Sequence, residues 1–311
     1  MTVSTIPQVQ AEMLLGTAVT ADTFILLEVP QPWTKPALLS EGVPEALRQV
    51  VKSLLGPESG VRVHLIANGQ TVAQGPRRIL IFQRPSAAAT SPDLTYRLAN
   101  GYQSWEIQVE TAADMAPALS AWSAQGAATG LLAPANARHL MICTHASHNE
   151  CCGIYGYPFY EAAIAQIQQL GLTVQPWQIS HIGGHRFAPT LIDFPQGRYY
   201  GNLNPAALTS LLTQQGDLAS LLATYRGWSL LPKPLQILEA KLWQDHGWSW
   251  LQGQVAGQIL DQSSDRQRTW AELWFTSANQ RSRYIAEIDK HQVRRYQRES
   301  DLVSPLHRKT G

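Results

Sequence analysis

The sequence predicts a mixed α/β protein: two successive units of the same β-α-β-β-β-α order, then an α+β appendage. Three observations carry this. Apolar runs of strand length alternate with segments of helical spacing along the first two thirds of the chain. The same order of segments recurs after a small-residue stretch. The C-terminal part then switches to one helix followed by polar–apolar alternation, the pattern of a half-buried antiparallel meander.

In the first unit, "FILLEV" predicts a buried strand at Phe24 to Val29. "PEALRQVVKSLL", Pro44 to Leu55, has helical spacing. Strands are expected at Val61 to Ala67, Arg78 to Phe82 and Ser104 to Val109, with a short helix in "MAPALSAW" ending at Trp122. Ser123 to Gly130, "SAQGAATG", reads as a linker.

The second unit starts with a strand at His139 to Cys143 and an amphipathic helix at Tyr160 to Leu170. A strand at Leu172 to Ile179 follows. "PTLIDF" and "RYYG" form a hairpin around Pro195-Gln196-Gly197, and "NPAALTSLLTQQ" is a closing helix with Asn204 as its N-cap. Two units of this order suggest tandem thioredoxin-like halves, although their sequences share negligible identity. In the third region, Pro234 is suited to a first helical turn, where its missing N–H costs little. Strands are expected at Trp248 to Leu260, Arg268 to Thr276 and Arg283 to Val293. The expected domains are 1–130, a thioredoxin-like scaffold without cysteines; 131–217, which holds every cysteine; and 218–311, a helix plus meander.

The 311 residues suffice for two or three compact units, and a hydrophobic content of 44% with 10 tryptophans excludes disorder. A net charge of +1 argues against nucleic acid as a partner. Arg294, Arg295, Arg298, Arg308 and Lys309 gather late and read as a solvated face or tail. No apolar run reaches the ~20 residues of a membrane span, and the N-terminus has no secretory pattern. The expectation is a soluble, cytoplasmic protein without a membrane partner. Sequence offers nothing on oligomeric state.

The chemistry concentrates in two motifs. All three cysteines, Cys143, Cys151 and Cys152, lie in "CTHASHNECCG", which directly follows a predicted strand. The C-terminal end of a strand is where α/β folds present ligand sites. "SHIGGH" places His181 and His185 four residues apart around Gly183 and Gly184. Paired glycines are poor helix formers and admit positive φ, so this reads as a loop that aims two rings at one point. Two thiolates and two imidazoles suit zinc or a 2Fe–2S cluster. The eight residues between Cys143 and Cys152 are wide for a zinc pair and better matched to a cluster's larger perimeter.

From His139 to about Gln215, these motifs and the spacing between them resemble the thioredoxin-like 2Fe–2S ferredoxins, in the branch called the sucrase/ferredoxin-like family. "LLGTAVTADTFILLEVPQPW" and "YRGWSLLPKPLQILEA" resemble that family too. The resemblance implies Cys143, Cys152, His181 and His185 as cluster ligands, with the histidines at positions that hold cysteines in related ferredoxins. It also favours Cys152 over the adjacent Cys151, which remains the alternate ligand. The chain departs from the family at "ASHN", where a glycine and an Arg-Asp pair are common.

The implied function is electron transfer through one 2Fe–2S cluster, exchanging electrons with a redox partner protein, in a carrier rather than an enzyme. Replacing two thiolates by neutral imidazoles leaves the oxidised centre formally neutral. Two-His centres accordingly lie at about −150 to +300 mV, against about −400 mV for plant-type clusters. An imidazole's second nitrogen could couple electron uptake to a proton. The alternatives are a zinc-stabilised binding module without a redox role and a thioredoxin-like thiol oxidoreductase, the latter weakened by the missing Cys-x-x-Cys. No carboxylate pair argues for glycosidase chemistry.

The remaining candidates have plain readings. Cys151 is expected as a small buried residue, His145 and His148 as solvated or supporting groups, and His64 and His246 as structural. Arg186 reads equally as a surface arginine or as a charge facing the cluster. Trp177, Tyr199 and Tyr200 are expected in the core.

Overall fold

The computed structural model describes residues 14–57, 59–85, 96–126, 133–134, 137–278 and 280–300. They fall into two compact units: the described residues up to 85 together with those from Gly101 to Lys233, and the described residues of 96–100 together with Pro234 to 300.

The first unit opens with β1 (Thr23–Glu28), α1 (Glu45–Leu54), β2 (Val61–Ala67) and β3 (Arg77–Gln83). In the second unit's part of the chain lies β4 (Tyr96–Ala99). The first unit resumes with β5 (Gln103–Val109), α2 (Met115–Gln125) and β6 (Ala133–Pro134). Next come β7 (Arg138–Cys143), α3 (Tyr157–Gln169), β8 (Val174–Ile179), β9 (Leu191–Phe194), β10 (Arg198–Tyr200), α4 (Pro205–Thr213), α5 (Leu218–Leu222) and β11 (Tyr225–Trp228). The strands make one ten-stranded sheet in the order β11-β10-β9-β7-β8-β2-β1-β3-β5-β6. This is a mixed α/β fold in which one pattern occurs twice. β1 is parallel to β2 and antiparallel to β3, and β7 is parallel to β8 and antiparallel to β9. Each half thus has the thioredoxin-like order expected from the sequence.

The halves join at β2 and β8, which pair antiparallel through Ile66↔Ile179 and Ala67↔Gln178. Ser180 extends the junction: its N–H donates to Leu65 O and its Oγ accepts from Leu65 N. The same registers recur on either side. Glu28 is paired with Ile66 as Cys143 is with Ile179, and Phe24 faces Phe82 as His139 faces Phe194. The halves also fold face to face. Phe82 stacks on Phe194 with centroids 4.0 Å apart, and Phe24 meets Phe194 edge-on at 5.1 Å. On the opposite face of the first half, Ile25, Leu27, Ile79 and Ile81 pack with Leu47 and Val51 of α1 and Leu119 of α2. Covered on both sides, β1 is buried along its whole length, so it reads as a continuous apolar run rather than an alternation.

Two local devices fix the second half. Asn204 accepts from Ala207 N at 2.9 Å and caps α4 as expected. Arg138 pairs bidentately with buried Asp193 at 2.9 Å and donates to the carbonyls of Leu211 and Leu212 at the C-terminal end of α4.

In the second unit, α6 (Lys233–His246) precedes a five-stranded sheet ordered β15-β14-β13-β12-β4, with β12 (Gln254–Gln262), β13 (Arg268–Ser277), β14 (Gln280–Asp289) and β15 (Val293–Ser300). Trp250 stacks on Phe275 at 4.5 Å and donates through Nε1 to buried Glu239. His246 and the Tyr284 hydroxyl lie 2.6 Å apart, the structural role expected of that histidine.

Several elements differ from expectation. Trp248 lies in a 3-10 turn, Gly247–Gln252, and the strand begins only at Gln254. A fourth strand, β15, carries the late arginines. Arg295 pairs with Glu287 and Arg294 with Asp289, so this is a charged edge strand rather than a tail, while Arg308 and Lys309 lie outside the described residues. α2 runs on to Gln125, into the expected linker, of which 127–130 lie outside the described residues. No helix among the described residues is long and apolar enough to cross a membrane.

Candidate metal centre

Cys143 is the last residue of β7, buried, with its N–H bonded to Thr190 O. The chain turns through "THASHN", and Asn149 Oδ1 accepts from Cys151 N. A π-helical turn, Cys152–Gly156, then leads into α3. The helical path therefore begins before the expected Tyr160. Gly153, Gly156 and Pro158 masked it in the sequence, since all three weaken a helix signal. The glycines are there for close approach. A Cβ at Gly156 would sit 2.0 Å from Cys143 O, and one at Gly153 would sit 2.7 Å from the Ala146 Cβ. Gly153 thus permits close contact from within the helical turn. This packing lays Cys152 beside Cys143, and π turns recur at functional sites.

The second loop leaves β8 at Ile179. Gly183 and Gly184 have φ of 81° and 75°, the positive values that glycine alone takes without strain, and His185 begins a 3-10 turn to Phe187. His181 Nδ1 lies 3.6 Å from Cys152 Sγ. Cys143, Cys152 and His181 each offer one ligand atom, all within 4.8 Å of one another. His185 stands outside that group. It is exposed, with its ring centroid 5.9 Å from that of His181. Cys151, half-buried, stands outside it as well.

The sulfurs act as a coupled pair. The Cys143 thiol is held well below its usual pKa, first by a hydrogen bond from Cys152, then by His181 and the backbone N–H groups of His145 and Ile182. Cys152 is pushed up by that same bond and by burial. Two buried sulfurs with an imidazole beside them are a donor set suited to a metal cation.

His145 is buried rather than solvated. Its Nδ1 accepts from His181 N at 3.2 Å, which makes Nε2 the protonated nitrogen, 2.9 Å from Thr34 O. Both nitrogens are engaged, so His145 anchors the ligand loop instead of offering a ligand. His148 stacks on His181 with centroids 3.8 Å apart. The first half contributes the rest of the support. Gln31 Nε2 donates to Thr144 Oγ1 and to Gln178 Oε1, and Lys35 Nζ donates to His148 O. Trp33 meets His145 edge-on at 5.9 Å. No sequence signal marks Gln31, Thr34 or Lys35, because each acts across more than 100 residues of chain. A cavity of about 350 Å³ opens beside His181, bordered by Lys35, His64, His145 and His148. Arg186 is exposed and lies over the Phe187 ring, while Trp177, Tyr199 and Tyr200 are buried as expected.

A mixed α/β sheet that gathers two cysteines and a histidine at a strand's C-terminal end defines a protein with a metal- or cluster-binding site. Residues 14–227 match the sucrase/ferredoxin-like family, and the chain belongs to that family. Among solved structures, a thioredoxin-like [2Fe-2S] ferredoxin from Aquifex aeolicus is similar over 32% of this chain and 97% of its own, at 16% identity and a TM-score of 0.26. A search of curated proteins found no match.

Proposed function

We propose that the protein is an electron carrier holding one 2Fe–2S cluster at Cys143, Cys152, His181 and His185. The observation that carries this reading is the convergence of Cys143, Cys152 and His181, with His185 next to His181 on the same loop. The donor chemistry fits the group: two buried sulfurs, the thiol of Cys143 held below its usual pKa, and an imidazole nitrogen turned to Cys152. The cluster would supply one-electron redox chemistry; the chain's residues supply ligands, burial and a rigid frame. In this reading the electron is exchanged with a redox partner protein, and electron uptake is coupled to a proton on a ligand imidazole. The free cysteines suit the reducing cytoplasm.

A second reading is a zinc-stabilised module. It is favoured by the compactness of the three ligand atoms, within 4.8 Å, which suits one tetrahedral ion. A thiol oxidoreductase finds less support, because Cys143 and Cys152 are both 1% exposed. Metal and sulfide analysis decides between the first two. The protein expressed with iron should be reddish-brown, with about two irons and two acid-labile sulfides per chain. A colourless chain with one zinc and no sulfide after anaerobic reconstitution would overturn the electron-carrier reading.

A further inference from the structure

Beneath the histidine loop lies a cation without an acid. Arg226, in β11, is 2% exposed. Its guanidinium donates from Nη1 to Gly183 O, from Nε to Thr17 Oγ1 and from Nη2 to Thr17 O, each at 3.0 Å. Its faces meet Tyr199 at 5.4 Å and Phe187 at 5.8 Å. Among the described residues its side-chain hydrogen bonds go to neutral oxygens, and no carboxylate pairs with it. The fit is close: a Cβ at Gly184 would fall 2.6 Å from Nη2, so the second glycine of "SHIGGH" is the space Arg226 occupies. Burying an unpaired charge is costly, and burial lowers the arginine's pKa to about 10, still protonated at neutral pH. Tyr199 and then Cys143 act in the opposite direction on that pKa, and Arg186 adds to the lowering.

We infer that Arg226 is a positioning and potential-setting residue, the built-in counter-charge for the electron that the site accepts. The inference rests on the cluster reading above. A centre with two thiolates and two neutral imidazoles is neutral when oxidised and singly negative when reduced. One electron leaves the donor protein, which is oxidised, and enters the site; no bond is made or broken. The fixed positive charge favours the reduced state, and its burial protects the effect from salt. Its bond to Gly183 O also holds the loop midway between His181 and His185, so charge and geometry have to be tested apart.

The test is an optical redox titration of the iron- and sulfide-loaded full chain, with four variants at one pH. Arg226→Gln should lower the equilibrium constant for reduction at least tenfold, about 59 mV for one electron, and Arg226→Lys should stay within threefold of wild type. Thr17→Asp sets a carboxylate against the guanidinium and should lower the constant as Arg226→Gln does, whereas Thr17→Asn should leave it unchanged. Unmoved constants in both Arg226→Gln and Thr17→Asp, or equal shifts in Thr17→Asp and Thr17→Asn, would overturn the inference. If Arg226→Gln does not retain the centre, the Thr17 pair decides alone. A wild-type chain without iron and sulfide would instead remove the cluster reading and this inference with it.

Discussion

The two halves of the large sheet share strand order, register and handling of the first strand's end, yet among the described residues only one gathers a set of donors that could hold a metal. Cys143 ends β7 opposite Ile179; Glu28 ends β1 opposite Ile66. In the second half, the loop after β8 returns His181 towards the sulfurs. In the first half, the loop after β2 returns Thr71, whose hydroxyl donates to Glu28 Oε1 at 2.7 Å. Arg78 completes that arrangement, donating to Glu28 from its backbone N–H and from Nε at 2.9 Å. Where one half gathers donors for a cation that must be supplied, the other carries its own cation, covalently attached. The first half is thus a finished ion pair, and it holds the other half's cysteine loop through Gln31, Thr34 and Lys35.

The largest expected effect falls on the second half. Cys143→Ser and Cys152→Ser should each remove the visible absorption and the bound iron, because each takes away one of only two sulfurs in the group. Cys151→Ser should leave the spectrum nearly unchanged. Bleaching by Cys151→Ser with survival of Cys152→Ser would exchange their roles.

The corresponding change in the first half should act on stability and not on the spectrum. Glu28 is 4% exposed, so Glu28→Gln leaves Arg78 without its counter-charge in a buried setting. Breaking a buried pair from one side costs about 3 kcal/mol or more. Urea unfolding should show that loss, with iron content and visible absorption retained. A Glu28→Gln variant that loses its colour would mean that the halves are not energetically separate.

Much of this division was legible in the sequence. The repeated order of elements shows because each strand is an apolar run bounded by turn residues, and the cysteine and "SHIGGH" motifs marked the loops that bring Cys143, Cys152 and His181 together. What escaped was long-range. The β2–β8 junction has only two paired positions, and nothing local announces it. His145 reads as one histidine of several until its two ring nitrogens are traced to Thr34 and His181. Arg226 lies 41 residues beyond His185 and is visible only from the space that Gly184 leaves for it. β4 belongs to a sheet whose other strands lie more than 150 residues further along the chain. β15 was hidden by its charges, which an edge strand tolerates.

The smallest effect sharpens the comparison at its centre. Phe24 of the first half corresponds to His139 of the second; each faces a phenylalanine, Phe82 and Phe194, across the strand pair. His139 is wholly buried, and its Nδ1 accepts a hydrogen bond from Trp177 Nε1 at 3.1 Å. Burial disfavours the charged ring and the nearby Arg78 adds to the effect, so its pKa falls from 6.5 to about 4. Between those values the unfolded chain binds the proton and the folded chain does not. Stability from this group is therefore complete above pH 6.5, declines as the pH falls, and is lost by about pH 4. The shift corresponds to about 3 kcal/mol at its limit, of which roughly half should be lost near pH 5. His139→Phe copies the first half's residue and cannot take up the proton. Denaturant midpoints of both proteins between pH 7 and 4 should therefore converge or cross as the pH falls, with the wild type losing more. The lowered pKa of His64 acts on both proteins alike and cancels in the difference. Parallel pH profiles would show that His139 is charged inside the fold, and that the two halves differ less at their centre than the Trp177 hydrogen bond implies.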